Sequence, residues 1–225
     1  MRRLLPLLTA GLILGCSRAE PGPQDGQAYF KQLNCRSCHR VGGEGAGRGG
    51  PDLSTVGFRR SKEWLDLYLK DPKAWDPNTL MPNPRLSEKG RAALVNYLSG
   101  LRGEAWVGER PWTALTDPVA KGRLIYNAVG CVSCHGSAGK GGYPNNNVEG
   151  GKIPALNNVR ETFTKDELKK KIAKGVVPVA KDPAAPAPML QMPAWGVLLD
   201  AAELDALVEY LMTLTPGKGA EPAGF

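Results

Sequence analysis

The chain has 225 residues, with 29 lysines and arginines against 22 aspartates and glutamates, for a formal net charge of +7. Arg2 and Arg3 supply two of the positive charges, and without them the balance is 27 against 22, or +5. So small an excess gives no case for nucleic acid as a partner, which would require clustered positive charge.

The first residues have the pattern of a bacterial export signal. Arg2 and Arg3 are followed by a mostly apolar run that is too short to span a bilayer. The run ends in Ile-Leu-Gly-Cys at Cys16, which resembles a lipobox. We therefore predict a signal peptide over residues 1–15 and lipidation of Cys16, where acyl chains would anchor the exported protein to a membrane.

The alternative for this segment is an ordinary signal peptide that is cut near Ala19 and leaves an idle thiol at Cys16. We favour lipidation because an unpaired cysteine is a liability in an exported protein. Residues 16–24 are polar and contain proline and glycine, which indicates a short flexible tether. Asp25 follows as a candidate N-cap for the first helix.

The sequence Cys-Arg-Ser-Cys-His at residues 35–39 is a c-type haem attachment motif. Residues three and four apart share one face of a helical turn, so Cys35, Cys38 and His39 can meet a single group. The two thiols suit thioether bonds to the haem vinyl groups, and the imidazole suits the iron. The same signature, Cys-Val-Ser-Cys-His, returns at residues 131–135.

The second motif contributes Cys131, Cys134 and His135, and the chain's two histidines each close one of the motifs. Structural zinc sites are the competing interpretation, because cysteine and histidine also bind zinc. Two zinc half-sites that both end in an adjacent histidine would be an unusual arrangement, so we predict two covalently bound haem c groups. Four of the five cysteines are then used, which leaves Cys16 without a partner for an intramolecular disulfide.

The two motifs belong to an internal repeat. An aromatic residue, Phe30 or Tyr126, stands five positions before the first cysteine of each motif. Towards the other end of each unit, residues 93–98 and 206–211 are identical at five of six positions and lie on amphipathic helical patterns. The repeat therefore predicts two related helical units with one haem each.

Between these ends the units resemble the class I cytochrome c domain. Pro51, in Gly-Pro-Asp-Leu, resembles the proline whose carbonyl oxygen holds the proximal imidazole, and Pro154, in Ile-Pro-Ala-Leu, is its counterpart. Such an acceptor orients the histidine and tunes the iron. The resemblance also implies distal methionine ligands, for which Met81 and Met192 are the candidates, because each precedes a proline that disfavours helix. Ligation by histidine and methionine raises the haem potential.

The second methionine site has a competitor, because Met189 lies three residues before Met192. We favour Met192 because it precedes a proline and because its spacing mirrors the first site. In that comparison, 16 residues lead from Met81 to Tyr97 and 18 from Met192 to Tyr210. Met189 is then interpreted as a packing residue.

The resemblance implies an all-α chain of two tandem class I cytochrome c domains, each a small helical bundle wrapped around a covalent haem. The second domain departs from the pattern through longer loops at residues 141–151 and 177–188. Trp106 and Trp112 indicate that the linker packs against one of the domains. The predicted organisation is a first domain at residues 25–102, a linker at 103–116, a second domain at 117–215 and a tail at 216–225.

This resemblance also implies the function. With histidine and methionine on the two faces of each iron, neither haem has a vacancy for a substrate, so we predict an electron-transfer protein rather than an enzyme. The alternative is a dihaem enzyme of the peroxidase or thiosulfate-oxidising type, which needs an open or displaceable ligand. The expected partners are redox proteins, for a free carrier or a respiratory-complex subunit, on the exported side of a bacterial membrane.

Four lysines on a predicted helix form a candidate docking patch for an acidic redox partner. Lys169, Lys170, Lys171 and Lys174 lie opposite the apolar stripe of a helix that starts with a capping-box pattern. A solvated face is the competing interpretation, since charge runs commonly serve solubility alone.

Overall fold

A computed structural model describes residues 25–47, 49–106 and 110–216 of the chain. The predicted signal peptide, the lipidation site Cys16 and the tether up to residue 24 lie outside these residues, as does the tail beyond Pro216. The described residues form helices and turns, with isolated β-bridges but no β-strand, so the all-α fold class is confirmed. None of the helices described there is both long and apolar enough to cross a membrane.

In the described part of the first domain there are five α-helices, of which the first and the last cross at close range. Asp25 caps the first helix as predicted, because its side chain accepts a hydrogen bond from the Ala28 N–H at 2.7 Å. Gly26 makes the close crossing possible, since a Cβ there would overlap the Ala93 carbonyl oxygen of the last helix. The helices are α1 (Gly26–Gln32), α2 (Val56–Arg59), α3 (Lys62–Lys70), α4 (Pro72–Trp75) and α5 (Glu88–Gly100).

The second domain repeats this arrangement. Gly122 in its first helix lies against the Ala206 carbonyl of its last helix, as Gly26 does in the first domain. The last helix begins at a capping box, in which the side chains of Asp200 and Glu203 each accept the other's backbone N–H at 2.9 Å. The helices are α6 (Pro118–Ala128), α7 (Val132–His135), α8 (Val159–Thr162), α9 (Lys165–Lys174) and α10 (Ala201–Thr213).

Each domain has its own cluster of buried apolar side chains. Phe30 is 2% exposed in the first cluster and Tyr126 is 1% exposed in the second. These are the aromatic residues that precede the two attachment motifs. Their rings pack on Tyr97 and Tyr210 with centroid distances of 5.6 and 5.5 Å. The repeat in the sequence is therefore a repeat in packing.

The linker packs against the second domain. Trp106 and Trp112 belong to that domain's cluster and meet edge to face, with ring centroids 5.3 Å apart. Trp112 donates its indole N–H to Glu203 Oε1 at 2.7 Å, and Arg110 forms an ion pair with the same carboxylate. The buried charge of Glu203 thus has both a cation and a hydrogen-bond donor, which its burial requires.

The second domain's long loops, with the residues that adjoin them, pack against the first domain. Tyr143, Met189 and Leu190 join the first domain's cluster. In the other direction Phe58 of α2 joins the second cluster, with its ring 5.4 Å from that of Trp195. Each domain therefore contributes side chains to the core of the other.

Three consecutive asparagines hold the two long loops together. Asn145 accepts the Leu190 N–H at 3.1 Å and donates to the Leu190 carbonyl at 3.0 Å. Asn146 accepts the Met189 N–H at 2.7 Å. Asn147 makes three more hydrogen bonds, all to backbone groups of the loop at residues 177–188. These bonds position Met189 and Leu190 at the first domain.

Candidate haem sites

The first attachment motif is a single turn of chain shortly after α1. Its Cys35–Ser37 segment is a 3₁₀ helix, and the Cys35 carbonyl accepts the N–H groups of Cys38 at 3.2 Å and His39 at 3.0 Å. Two thiols and one imidazole therefore extend from the same turn. Neither cysteine is in a disulfide.

The second attachment motif has the same backbone geometry. The Cys131 carbonyl accepts the N–H groups of Cys134 at 3.1 Å and His135 at 2.9 Å, at the start of α7. These two cysteines are also free of disulfides, and Cys131 packs against the second domain's cluster. The sequence repeat thus places two equivalent sets of thiol and imidazole groups.

A proline carbonyl oxygen orients each histidine. Nδ1 of His39 lies 2.9 Å from the Pro51 oxygen, and Nδ1 of His135 lies 3.1 Å from the Pro154 oxygen. These are the contacts that the resemblance implied for the two prolines. When Nδ1 carries the proton and donates to the carbonyl, Nε2 keeps its lone pair for a metal.

Met81 lies in non-helical chain between α4 and α5, at the first domain's cluster. Its N–H donates to Thr79 Oγ1 at 3.3 Å, and the Thr79 hydroxyl lies 2.8 Å from that of Tyr68. Tyr68 in turn stacks on Trp64 with a centroid distance of 4.6 Å. Cys35 packs against the same cluster, so the methionine and the attachment motif share one apolar environment.

The structure separates the two candidate methionines of the second site. Met192 packs against the second domain's cluster and exchanges two backbone hydrogen bonds of 2.9 Å with Val176. Met189 packs instead against the first domain's cluster. Of the two, Met192 is the one that shares a cluster with Cys131.

The family model for cytochrome c matches the chain twice, over residues 23–102 and 119–215. This chain belongs to the cytochrome c family. Covalently attached haem c is the cofactor that the family implies. The two motifs fit that group, because each offers paired thiols and an imidazole whose Nδ1 faces a proline carbonyl, which leaves Nε2 to face an iron.

Curated relatives of this cytochrome include cytochrome c oxidase subunits. It is 26% identical over 208 residues to the cbb3-type cytochrome c oxidase subunit CcoP of Azospirillum sp. (strain B510), which covers 86% of this chain and 62% of that protein. It is 35% identical over 96 residues to cytochrome c oxidase subunit 2 of Bacillus subtilis (strain 168), which covers 36% of this chain and 27% of that protein. The chain thus spans less than two thirds of either subunit.

A smaller relative matches over most of its own length. Cytochrome c-551 of Stutzerimonas stutzeri is 31% identical over 96 residues, which covers 39% of this chain and 86% of that protein. One unit of this cytochrome therefore corresponds in extent to most of a small cytochrome.

Two indole N–H groups in the first domain are buried without an acceptor among the described residues. They belong to Trp64 and Trp75, whose rings meet edge to face at 5.9 Å. Buried donors are nearly always hydrogen-bonded in folded proteins. The propionate carboxylates of a haem would supply the missing acceptors, so this part of the cytochrome also fits the cofactor.

Burial lowers the pKa of both histidines, His39 and His135, below the ordinary value of 6.5. The hydrogen bonds to the two proline carbonyls oppose this shift. The positive charge of Arg59 adds to it at His39, and that of Arg60 adds to it at His135. Both imidazoles are therefore neutral at neutral pH, which is the form that binds a metal.

The sequence motifs do not point to Arg59 and Arg60. Both are buried, and both reach across to the second attachment motif, Arg59 to Ser133 Oγ and Arg60 to Cys134 Sγ. The available signal is a pair of adjacent arginines in the segment Val-Gly-Phe-Arg-Arg, but that pattern does not reveal what covers them.

The candidate lysine patch is partly engaged in contacts within the second domain. Lys169 forms an ion pair with a carboxylate of α10, and the Lys171 ammonium lies 5.3 Å from the ring centroid of Phe163. Lys170 and Lys174 are exposed on α9, whose capping box is formed as predicted. The patch is therefore smaller than the sequence suggests.

Proposed function

We propose that this cytochrome carries two covalent c-type haems, one on residues 35–39 and one on residues 131–135, and passes single electrons through them. The supporting observation is the pair of equivalent turns, each with two thiols and an imidazole whose Nδ1 faces a proline carbonyl. The chain's own residues attach the group, orient the ring and leave Nε2 for the iron. The bound haem supplies one-electron oxidation and reduction.

Met81 and Met192 are the proposed distal ligands. Each packs against the same cluster as its own attachment motif, and a hydrogen bond from its backbone N–H holds each in non-helical chain. Bound to the iron, each thioether would raise the potential of its haem and would leave no coordination position for a substrate.

The proposed organisation follows the predicted boundaries, with domains at residues 25–102 and 117–215 joined by a linker at 103–116. The contact of Arg60 with Cys134 supports electron transfer between the haems, because it brings the second attachment motif against the first domain. Similarity to oxidase subunits supports a role as carrier for, or subunit of, a respiratory complex. The proposed location is the exported side of a bacterial membrane, with Cys16 as the lipid anchor.

Haem content tests this proposal directly. Expressed in a bacterium that attaches c-type haem, the protein is expected to hold two haems per chain by pyridine haemochrome absorbance and by intact mass. The double variants Cys35→Ala/Cys38→Ala and Cys131→Ala/Cys134→Ala should each retain one haem. A wild-type protein with one haem or none would contradict the proposal.

A further inference from the structure

Two adjacent arginines at the end of α2, Arg59 and Arg60, are buried against the second domain. Their exposed fractions are 5% and 6%. Both side chains reach out of the first domain to the second attachment motif at residues 131–135. Arginine is seldom buried to this extent unless it is paired, so its partners decide what it does there.

Arg59 is held from both domains by neutral groups. Its Nη1 donates to Ser133 Oγ at 2.5 Å, and its Nη2 donates to the Asp52 carbonyl oxygen at 2.7 Å. Its Nε donates to the Thr55 hydroxyl at 3.0 Å, and that hydroxyl donates to the Val129 carbonyl at 2.7 Å. The guanidinium is thereby fixed beside the start of the second attachment motif.

Arg60 lies against the second motif itself. Its Nη1 donates to Cys134 Sγ at 3.0 Å, the sulfur that would carry a haem thioether, and its Nη2 lies 3.4 Å from the Ser133 carbonyl oxygen. Its Cζ is 4.6 Å from the ring centroid of Trp64 and 5.7 Å from that of Tyr143. Aromatic faces from both domains therefore cover this cation.

Neither arginine forms an ion pair with a carboxylate within the part of the chain that the structure describes. Burial, followed by the charge of Arg60, lowers the pKa of Arg59 to about 10, although the charge of the Asp52 carboxylate opposes this shift, so Arg59 is still protonated at neutral pH. Arginine side chains in general keep their charge in proteins. Two positive charges without a salt-bridge partner therefore lie at the second haem site.

The second domain has no pair of arginines at the position that corresponds to Arg59 and Arg60. Ser61 and Thr164 cap α3 and α9, which are matching helices of the repeat. The two residues before Ser61 are the arginines, whereas the two before Thr164 are Thr162 and Phe163. The cations are thus supplied in one direction, from the first domain to the second.

We propose that Arg59 and Arg60 form part of the second haem site and raise the reduction potential of its iron above the value that the second domain would set without them. This inference rests on the proposed function, since it needs a haem on residues 131–135. A fixed positive charge disfavours the oxidised site more than the reduced one, because reduction removes one unit of positive charge from the iron. For a charge that lies about 10 Å from an iron, in surroundings with an effective dielectric constant of about 20, the equilibrium constant for reduction would change on the order of tenfold.

Potentiometric titration of the two-haem protein tests this inference. Arg60→Gln is expected to lower the potential of the second haem by about tenfold in equilibrium constant, or about 59 mV for a one-electron couple. Met81→Ala identifies the wave of the first haem by moving that wave alone. Arg60→Lys, which keeps the charge, should retain most of the wild-type potential.

Arg102→Gln is the matched control. Arg102 also contacts α2, donating to the Gly57 carbonyl at 2.8 Å, but it is exposed to solvent. Water and salt screen an exposed charge, so this variant should leave both potentials close to those of the wild type.

Three outcomes would overturn the inference. The first is an unchanged second potential in Arg60→Gln, and the second is an equal loss in the Gln and Lys variants, since the charge would then not be the cause. If Arg60→Gln yields no two-haem protein, Arg59→Gln and Arg59→Lys are compared by the potential of the second haem alone, because the charge of Arg59 also acts at His39 of the first site. After either of these two outcomes, the proposed function still stands as long as the wild type carries two haems. The third outcome is a wild type without two haems, which overturns the inference and the proposed function together.

Discussion

Replacing Met192 and Met189 by alanine, one at a time, separates a ligand from a packing residue. Met192 lies in the second domain's cluster with Cys131, whereas Met189 lies in the first domain's cluster. Met192→Ala should therefore open a coordination position at the second haem. Met189→Ala should open none, because its side chain belongs to the other domain's core.

The expected cost of Met189→Ala is a loss of packing alone. Changing a fully buried methionine to alanine costs about 2–5 kcal/mol, and a half-buried one such as Met189 on the order of 1–2 kcal/mol. For a chain of this length each kcal/mol lowers Tm by roughly 2–4 °C. The variant should accordingly melt roughly 2–8 °C below the wild type.

Absorption spectra and carbon monoxide binding distinguish the two variants. Met192→Ala should lose the weak thioether-to-iron band at the red edge of the visible spectrum for one haem, lower that haem's potential and bind carbon monoxide in the ferrous state. Met189→Ala should keep the band at both haems and bind none. Met81→Ala is the matched control, with the same losses at the first haem.

Loss of the band in Met189→Ala, with the band intact in Met192→Ala, would refute the assignment of the second ligand. Rapid carbon monoxide binding by the ferrous wild type at one haem would refute the electron-carrier function itself, because a carrier with both axial positions filled has no free coordination position. The dihaem enzyme would then be the better hypothesis.

Three further predictions concern the anchor, the docking patch and the linker. Cys16→Ala should leave the membrane fraction yet keep both haems, and an intact mass of the mature wild type that shows an unmodified N-terminus other than Cys16 would contradict lipidation. Changing Lys170 and Lys174 to glutamate should slow association with an acidic redox partner strongly at low salt and little at high salt, whereas a salt-independent wild-type rate would indicate a solvated face. Trp112→Phe removes the indole N–H that binds Glu203. This should lower the free energy of unfolding by about 1.5–3 kcal/mol, because hydrogen bonds to charged groups are strong. Calorimetry should then show a lower Tm with an unchanged haem count, and an unchanged Tm would show that the linker contact adds no stability.

Features that depend on a few neighbouring residues could be predicted from the sequence. The attachment motif is one turn of five residues, and its thiol and imidazole groups share a face whatever surrounds them. Helix caps are equally local, which is why Asp25 and the α9 capping box form as expected. The repeat extended this local information by pairing Pro51 with Pro154, and each carbonyl does lie at its histidine.

The position of Met189 and the side of the linker could not be predicted in this way. Sequence spacing favoured Met192, but it could not show that Met189 lies in the core of the other domain. The tryptophans of the linker predicted packing without a direction, because an apolar side chain can be buried by any surface that covers it. The structure places Trp106 and Trp112 in the second domain's cluster.

Tertiary structure alone decided the charge environment between the two haem sites. Arg59 and Ser133 are 74 positions apart in the chain, as are Arg60 and Cys134. From sequence alone an arginine is expected at the surface, where water solvates its charge. Burial of these two became possible only when the second domain's attachment motif covered them and supplied the hydrogen-bond acceptors that water would otherwise provide.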